Sequence, residues 1–253
     1  MRSFALELGD VDVALDEAQL PHRCEPFDIQ HVGNTVDLRK QHVAEAMRRL
    51  GSARLLDGDR MDADVENTLR VWTSPDVLIM VRVDQTVGQQ RLLYRAASAR
   101  DAGVVSQLAD GRIEFEIVQG QRVLATMVGE LPPLGPIPDL RELTVPLDGA
   151  SNEVAEEDFD PLATEAPTGT AAAQQREMRA FAQWPVERFC GFELWVRGRS
   201  GLAHMGTAQV VDTEGGRYVM LPSDNQDLRI LPSNGSHLQK WLRQRIDLGQ
   251  DDR

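Results

Sequence analysis

Near the end of the chain, apolar and polar residues alternate and then give way to helical spacing. In FELWVRGR (Phe192 to Arg199), Phe192, Leu194 and Val196 point one way and Trp195 and Arg197 the other, the period of a half-buried strand. Strand-like runs follow in AHMGTAQVV (Ala203 to Val211), RYVML (Arg217 to Leu221) and LRIL (Leu228 to Leu231). The breaks between them, RSG, DTEGG and PSDNQD, carry the glycines and short polar residues of tight turns. Pro232, Ser233 and Asn234 end the last strand and supply helix-capping chemistry. Leu238, Trp241, Leu242 and Ile246 then share one face of a helix, and the tail LGQDDR reads as frayed.

The first half repeats this order. VLIMVRV (Val77 to Val83) carries a Val-Arg pair as ELWVR does, so Arg82 and Arg197 occupy matching places. RLLYRAAS, GVVSQL and RIEFEIV follow, with Ala109-Asp110-Gly111 as a turn, and Ile113 and Phe115 match Leu228 and Ile230. A helix comes next, with Val123, Leu124, Met127, Val128 and Leu131 on one face. Two ββββα units in one chain point to an internal duplication. Related by a pseudo-twofold axis, they would join into one antiparallel sheet with a helix layer on one face, an α+β fold.

The remaining segments read as follows. FALEL (Phe4 to Leu8) is a short strand, and Asp10 or Asp12 caps a helix running through Leu20. Pro21 to Gln30 is a connection that tucks Phe27 into the core. Asn34-Thr35 precedes a helix with Val36, Val43, Met47 and Leu50 as its apolar stripe and Gly51 at its end. Asp62 or Asp64 caps a second helix over Ala63 to Thr73, and Ser74-Pro75-Asp76 stops it. After the first unit, LPPLGPIPDL leads into a short extended piece, ELTVPL. Ala171 to Trp184 reads as a helix with Met178, Phe181 and Trp184 on a face. One domain over residues 1–253 is expected, with an N-terminal half to about 147, an acidic mobile linker over about 148–170 and a C-terminal half over about 171–248.

The chain has 253 residues, 42% of them hydrophobic, enough for a sizeable core. Its formal charge of -13 argues against nucleic acid and anionic membranes as partners. No apolar run is long enough to span a membrane, and the acidic start is unlike a signal peptide, so a cytoplasmic protein is expected. Cys24 and Cys190 lie far apart and read as buried free thiols. Asp57 to Asp64 resembles a calcium loop but lacks its oxygen donors and glycine: Met61, Asp62 and Thr68 stand at the deciding positions, so a turn and a helix cap are expected. His22, His31, His42, His204 and His237 form no ligand pair at helical spacing. Glu153, Glu156, Glu157 and Asp158 read as a solvated charge run. With no G-x-S-x-G, P-loop or G-x-G-x-x-G, no catalytic residue, cofactor or metal is expected. What remains is a sheet face bearing Trp195 and Arg197 on one strand and Met80 and Arg82 on its match, an aromatic-and-arginine surface suited to binding a protein.

The ordered motifs also resemble the EspG family of type VII (ESX) secretion-associated proteins of actinobacteria. The resemblance rests on Leu55-Leu56-Asp57, Asp62-Ala63-Asp64-Val65, Leu69 and Pro75-Asp76, leading to Val81-Arg82. It continues through LPPLGPIP, the strand from Arg188 to Arg197, and Asp212-Thr213 with Gly216-Arg217-Tyr218. It covers nearly the whole chain. It implies a central antiparallel sheet with flanking helices and quasi-twofold halves, and the role of a cytosolic chaperone. In that role the chain would bind PE–PPE heterodimers at their apolar helical tip and keep them soluble for the secretion machinery, without a cofactor. A regulatory or scaffold module with another partner, or an enzyme without a visible motif, are the alternatives left by the residues themselves.

Overall fold

The structure, a computed structural model, describes residues 3–146, 179–181, 183–223, 225 and 227–251. The acidic segment and all but the end of the helix expected over Ala171 to Trp184 lie outside these residues; 179–181 are helical.

Strand β1 (Ser3–Glu7) runs straight into helix α1 (Leu8–Glu17), which starts and ends earlier than expected. Glu7 is its N-cap and makes no capping bond through its side chain. Asp10 and Asp12 are buried inside the helix instead, because each faces an arginine of α2 (Val36–Ser52): Arg49 pairs with Asp10 and Arg39 with Asp12. Thr35 caps α2 by accepting a hydrogen bond from the Leu38 N–H. This helix continues one residue past Gly51, and Val36 is exposed, so its buried stripe begins later, at Ala46 and Leu50. The false calcium loop is a hairpin of β2 (Leu56–Asp57) and β3 (Arg60–Met61) turned at Gly58, with φ of 64°. Asp62 then caps α3 (Ala63–Thr73), its carboxylate accepting from the N–H groups of Asp64 and Val65.

The first meander is β4 (Val77–Gln85), β5 (Arg91–Ala99), β6 (Ala102–Ala109) and β7 (Arg112–Gln119), followed by α4 (Val123–Gly129). Asp110 and Gly111 both adopt left-handed φ, 50° and 76°, which matches the twist of the β6–β7 hairpin. After β8 (Leu143–Pro146) comes the second meander, β9 (Val186–Gly198), β10 (Gly201–Thr213), β11 (Gly216–Pro222) and β12 (Asp227–Pro232), then α5 (Ser236–Asp251). Of the tail expected to fray, residues 248–251 form the last turn of α5. Gly249 explains this: a Cβ there would approach Val196 to 2.9 Å, so its absence lets the helix end lie on β9.

Among the described residues, ten strands form one sheet in the order β1-β7-β6-β5-β4-β9-β10-β11-β12-β8, antiparallel throughout. Each half is a meander with an edge strand added from before it, β1 beside β7 and β8 beside β12. β8 falls before the expected boundary of the halves at about 147, yet it pairs within the second half.

The first strands of the two meanders, β4 and β9, pair at the centre. If Arg82 is matched with Arg197, Ile79 matches Leu194, and these two are register partners, where a twofold axis would pass. Phe115 and Ile230 likewise lie on the fourth strand of each meander and on the same face. Their ladder rows differ, however. Phe115 is in the row of Ser106, Arg95 and Met80, and Ile230 in the row of Met220, Gln209 and Gly191. Met80 is matched by Trp195, four residues along β9 from Gly191, an offset larger than the one-residue register shift between His204 and Gly206, so the turns of the two halves set their rows differently.

Alternation sorts the sheet into two faces. On one, Val77, Ile79 and Val81 of β4 and Phe192, Leu194 and Val196 of β9 form a core shared by both halves, covered by α4 and α5 through Met127, Leu238, Trp241 and Leu242. Helices also cover the opposite face, contrary to the single layer expected. There α1, α2 and α3 bury Leu15, Leu50, Leu69 and Trp72 against Ala97, Val104, Ile113 and Phe115. The Trp72 Nε1–H donates to Ser106 Oγ at 2.8 Å beneath them. A smaller cluster of Ile137, Leu143, Phe181 and Ile230 lies at the far end of that face.

Candidate functional site

Between those two clusters on the second face, the floor made by β4 and β9 carries a groove of about 690 Å³. Three of the four expected partner-binding residues, Met80, Arg82 and Trp195, line it together with Leu78, Gly191 and Glu193. The register explains their meeting. Leu78 stands opposite Trp195, Met80 opposite Glu193, and Arg82 opposite Gly191, so three successive rungs of the central ladder present their outward sides. Arg197 shares the face but is committed to its own chain. Its Nε–H donates to the Pro75 carbonyl at 3.0 Å, and it lies 3.4 Å from the Asp76 carboxylate.

One wall of the groove is the segment after α1, through Pro21, Arg23, Glu25 and Pro26. Arg95 fastens it. This side chain is 2% exposed, and it donates to the Trp72 carbonyl at 3.0 and 2.8 Å and to the Glu25 carbonyl. No carboxylate bonds it among the described residues, and burial draws its pKa below the ordinary arginine value. Arg95, Arg23 and Arg82 together outnumber Glu25 and Glu193 around the groove. Sequence reasoning missed Arg95 because its partners are backbone carbonyls far along the chain.

Trp195 is half-buried, its ring tilted against His204 with centroids 4.8 Å apart. Its Nε1 is a buried donor without a hydrogen-bond partner among the described residues. The residue is neither enclosed by helices of its own chain nor fully open.

A second cluster was invisible to local spacing. Asp12, Asp16, His22 and His31 bring ligand-type atoms within 4.8 Å of one another. Arg39 sits among them and donates to both carboxylates. A guanidinium already neutralising both acids opposes a metal cation at the same place. The set works as a hydrogen-bonded network tying the wall segment to α1 and α2, with the Val32 N–H donating to Asp12 at 3.2 Å.

The two cysteines are free and buried, and burial pushes each thiol up to about 12, which leaves them protonated and unreactive at neutral pH. No described helix is long and apolar enough to cross a membrane.

The EspG family model matches residues 8–244. Among solved structures, the chain is similar to the Mycobacterium tuberculosis type VII secretion system chaperone EspG5 in complex with a PE25-PPE41 dimer. The TM-score is 0.69 over 97% of this chain and 96% of that one, at 12% sequence identity. At such identity the likeness is one of fold, and it extends to the large antiparallel sheet with flanking helices. No curated protein matches the sequence.

Proposed function

Because this chain belongs to the EspG family, we propose that it is a cytosolic chaperone of type VII secretion. In this reading it binds a PE–PPE-like helical heterodimer, keeps it soluble and delivers it to the ESX machinery. It acts as one domain, since the two halves share a core, and it works by burial rather than by catalysis. The observation that carries the reading is the groove over β4 and β9, in a fold whose solved counterpart is described in complex with a PE25-PPE41 dimer. Leu78, Met80 and Trp195 offer apolar surface there, and Arg82 rims it. An apolar helical tip left in water drives aggregation, and covering it removes that drive. Arg197, engaged at Pro75 and Asp76, supports the floor from beside it.

Coexpression tests this. The wild-type chain should hold a PE–PPE dimer in solution through size-exclusion chromatography, and failure to retain any such dimer overturns the reading. Trp195→Ala should melt within about 4 °C of wild type and lose about 2 kcal/mol or more of binding. A folded variant with unchanged affinity removes Trp195 from the surface.

A further inference from the structure

Gly191 stands inside β9, on the groove side, opposite Arg82. A glycine within a strand weakens it, through chain entropy and the packing it forgoes. Most inner glycines here have a reason inside the molecule. A Cβ at Gly103 would meet Val123 at 2.3 Å, one at Gly249 would meet Val196 at 2.9 Å, and Gly206 takes a φ of 126° at the β10 bulge. Gly191 has no such reason. A Cβ there meets nothing within 4 Å, and the residue does not adopt the left-handed conformation. Its missing side chain serves no contact among the described residues; it leaves the groove floor bare beside Arg82. Arg82 beside it is exposed and makes no hydrogen bond or ion pair among the described residues.

We infer that the groove receives the C-terminal end of a partner helix, its backbone lying over Gly191 and its last free carbonyls accepting hydrogen bonds from Arg82. The inference rests on the chaperone reading and specifies how the helical tip is held. A helix ends in carbonyls without intrahelical partners and in the negative end of its dipole. A guanidinium offers five donors in one plane to such a group. Buried Arg95, one rung away beside Met80, adds positive potential from below. An acidic side chain could reach Arg82 from the rim without a bare floor. Only main chain needs the close approach that Gly191 provides. Leu78, Met80 and Trp195 then take apolar side chains from the helix's preceding turns.

The probe is the PE–PPE dimer that the wild-type chain retains on coexpression. Gly191→Ala and Gly191→Leu should fold and melt at or above the wild-type temperature, since each side chain enters open space and suits a strand better than glycine. Affinity should fall in steps, by roughly tenfold or more for Leu. Arg82→Gln, which keeps amide donors, should retain more binding than Arg82→Ala. A Gly191→Leu chain that binds as wild type, or one that melts far lower, overturns the inference while leaving the chaperone reading in place. So does an Arg82→Gln chain as weak as Arg82→Ala with steep loss of wild-type binding in salt, which marks a carboxylate ligand instead. A wild-type chain that retains no PE–PPE dimer overturns both.

Discussion

At the scale of single residues, tertiary partners decided what sequence could not. Asp10 and Asp12 read as helix caps because short acids before an apolar run commonly are. Each is instead held by an arginine of α2, contacts that span too much chain to show in a local pattern. Burial raises the pKa of Asp12, but hydrogen bonds from Arg39 and the Val32 N–H, with the Arg39 charge, outweigh it and hold the carboxyl below its ordinary 3.8. A depressed folded value means the contribution is complete above the ordinary value and is lost as pH falls through the folded one. Asp12→Asn should therefore be clearly less stable than wild type at neutral pH in urea unfolding, with the gap closing below about pH 3.8. A gap that persists unchanged in acid would assign the loss to packing. The same limit hid the approach of His22 to His31, whose rings come within 6.3 Å. By contrast, Asp212 and Arg217, which carried part of the family resemblance, turn out to be a buried ion pair at 2.5 Å, with Arg217 also donating to the Pro132 carbonyl at 2.9 Å. They tie the proline-rich segment to β11, so this part of the resemblance rests on the fold and not on the partner surface.

At the scale of elements, periodicity was enough for the eight meander strands and for α3, because each has one face in a core and one toward water or a helix. That an aspartate, Asp62 or Asp64, caps α3 was legible since capping is local, and the structure assigns the cap to Asp62. Asp62→Ala should cost about 1 kcal/mol, read as a lower urea midpoint, while Asp62→Asn should restore most of it. Equal stability of the Ala variant would show that α3 is fixed by Trp72 and Leu69 alone. What periodicity could not supply was neighbourhood. FALEL and ELTVPL looked extended, but nothing in them says that each adds an edge to a meander remote in sequence. Nor did the amphipathic helices declare which face of the sheet they cover, because an apolar stripe specifies burial and not direction.

At the scale of the whole molecule, the two halves share the core beneath β4 and β9, so neither should unfold alone. In the wild-type chain, tryptophan fluorescence and far-UV circular dichroism should follow a single coincident urea transition. Separated midpoints would show that the halves are independent units. The proposed partner surface was half legible: alternation placed Met80, Arg82 and Trp195 on one face, while the wall fastened by Arg95 depends on contacts remote in sequence.

The central ladder carries a further consequence. One ββββα unit pairing with its own copy through its first strand would build the same sheet, an isologous dimer. Such a dimer is obliged to present a self-symmetric floor, and anything bound across its axis would meet two identical sides. With both copies in one polypeptide, each side varies on its own. Arg82 and Gly191 stand at one end of the floor, Leu78 and Trp195 at the other, and the described wall rises from the N-terminal half. Two differing halves in one polypeptide free this surface from symmetry, as the seating of a single, directional guest would require.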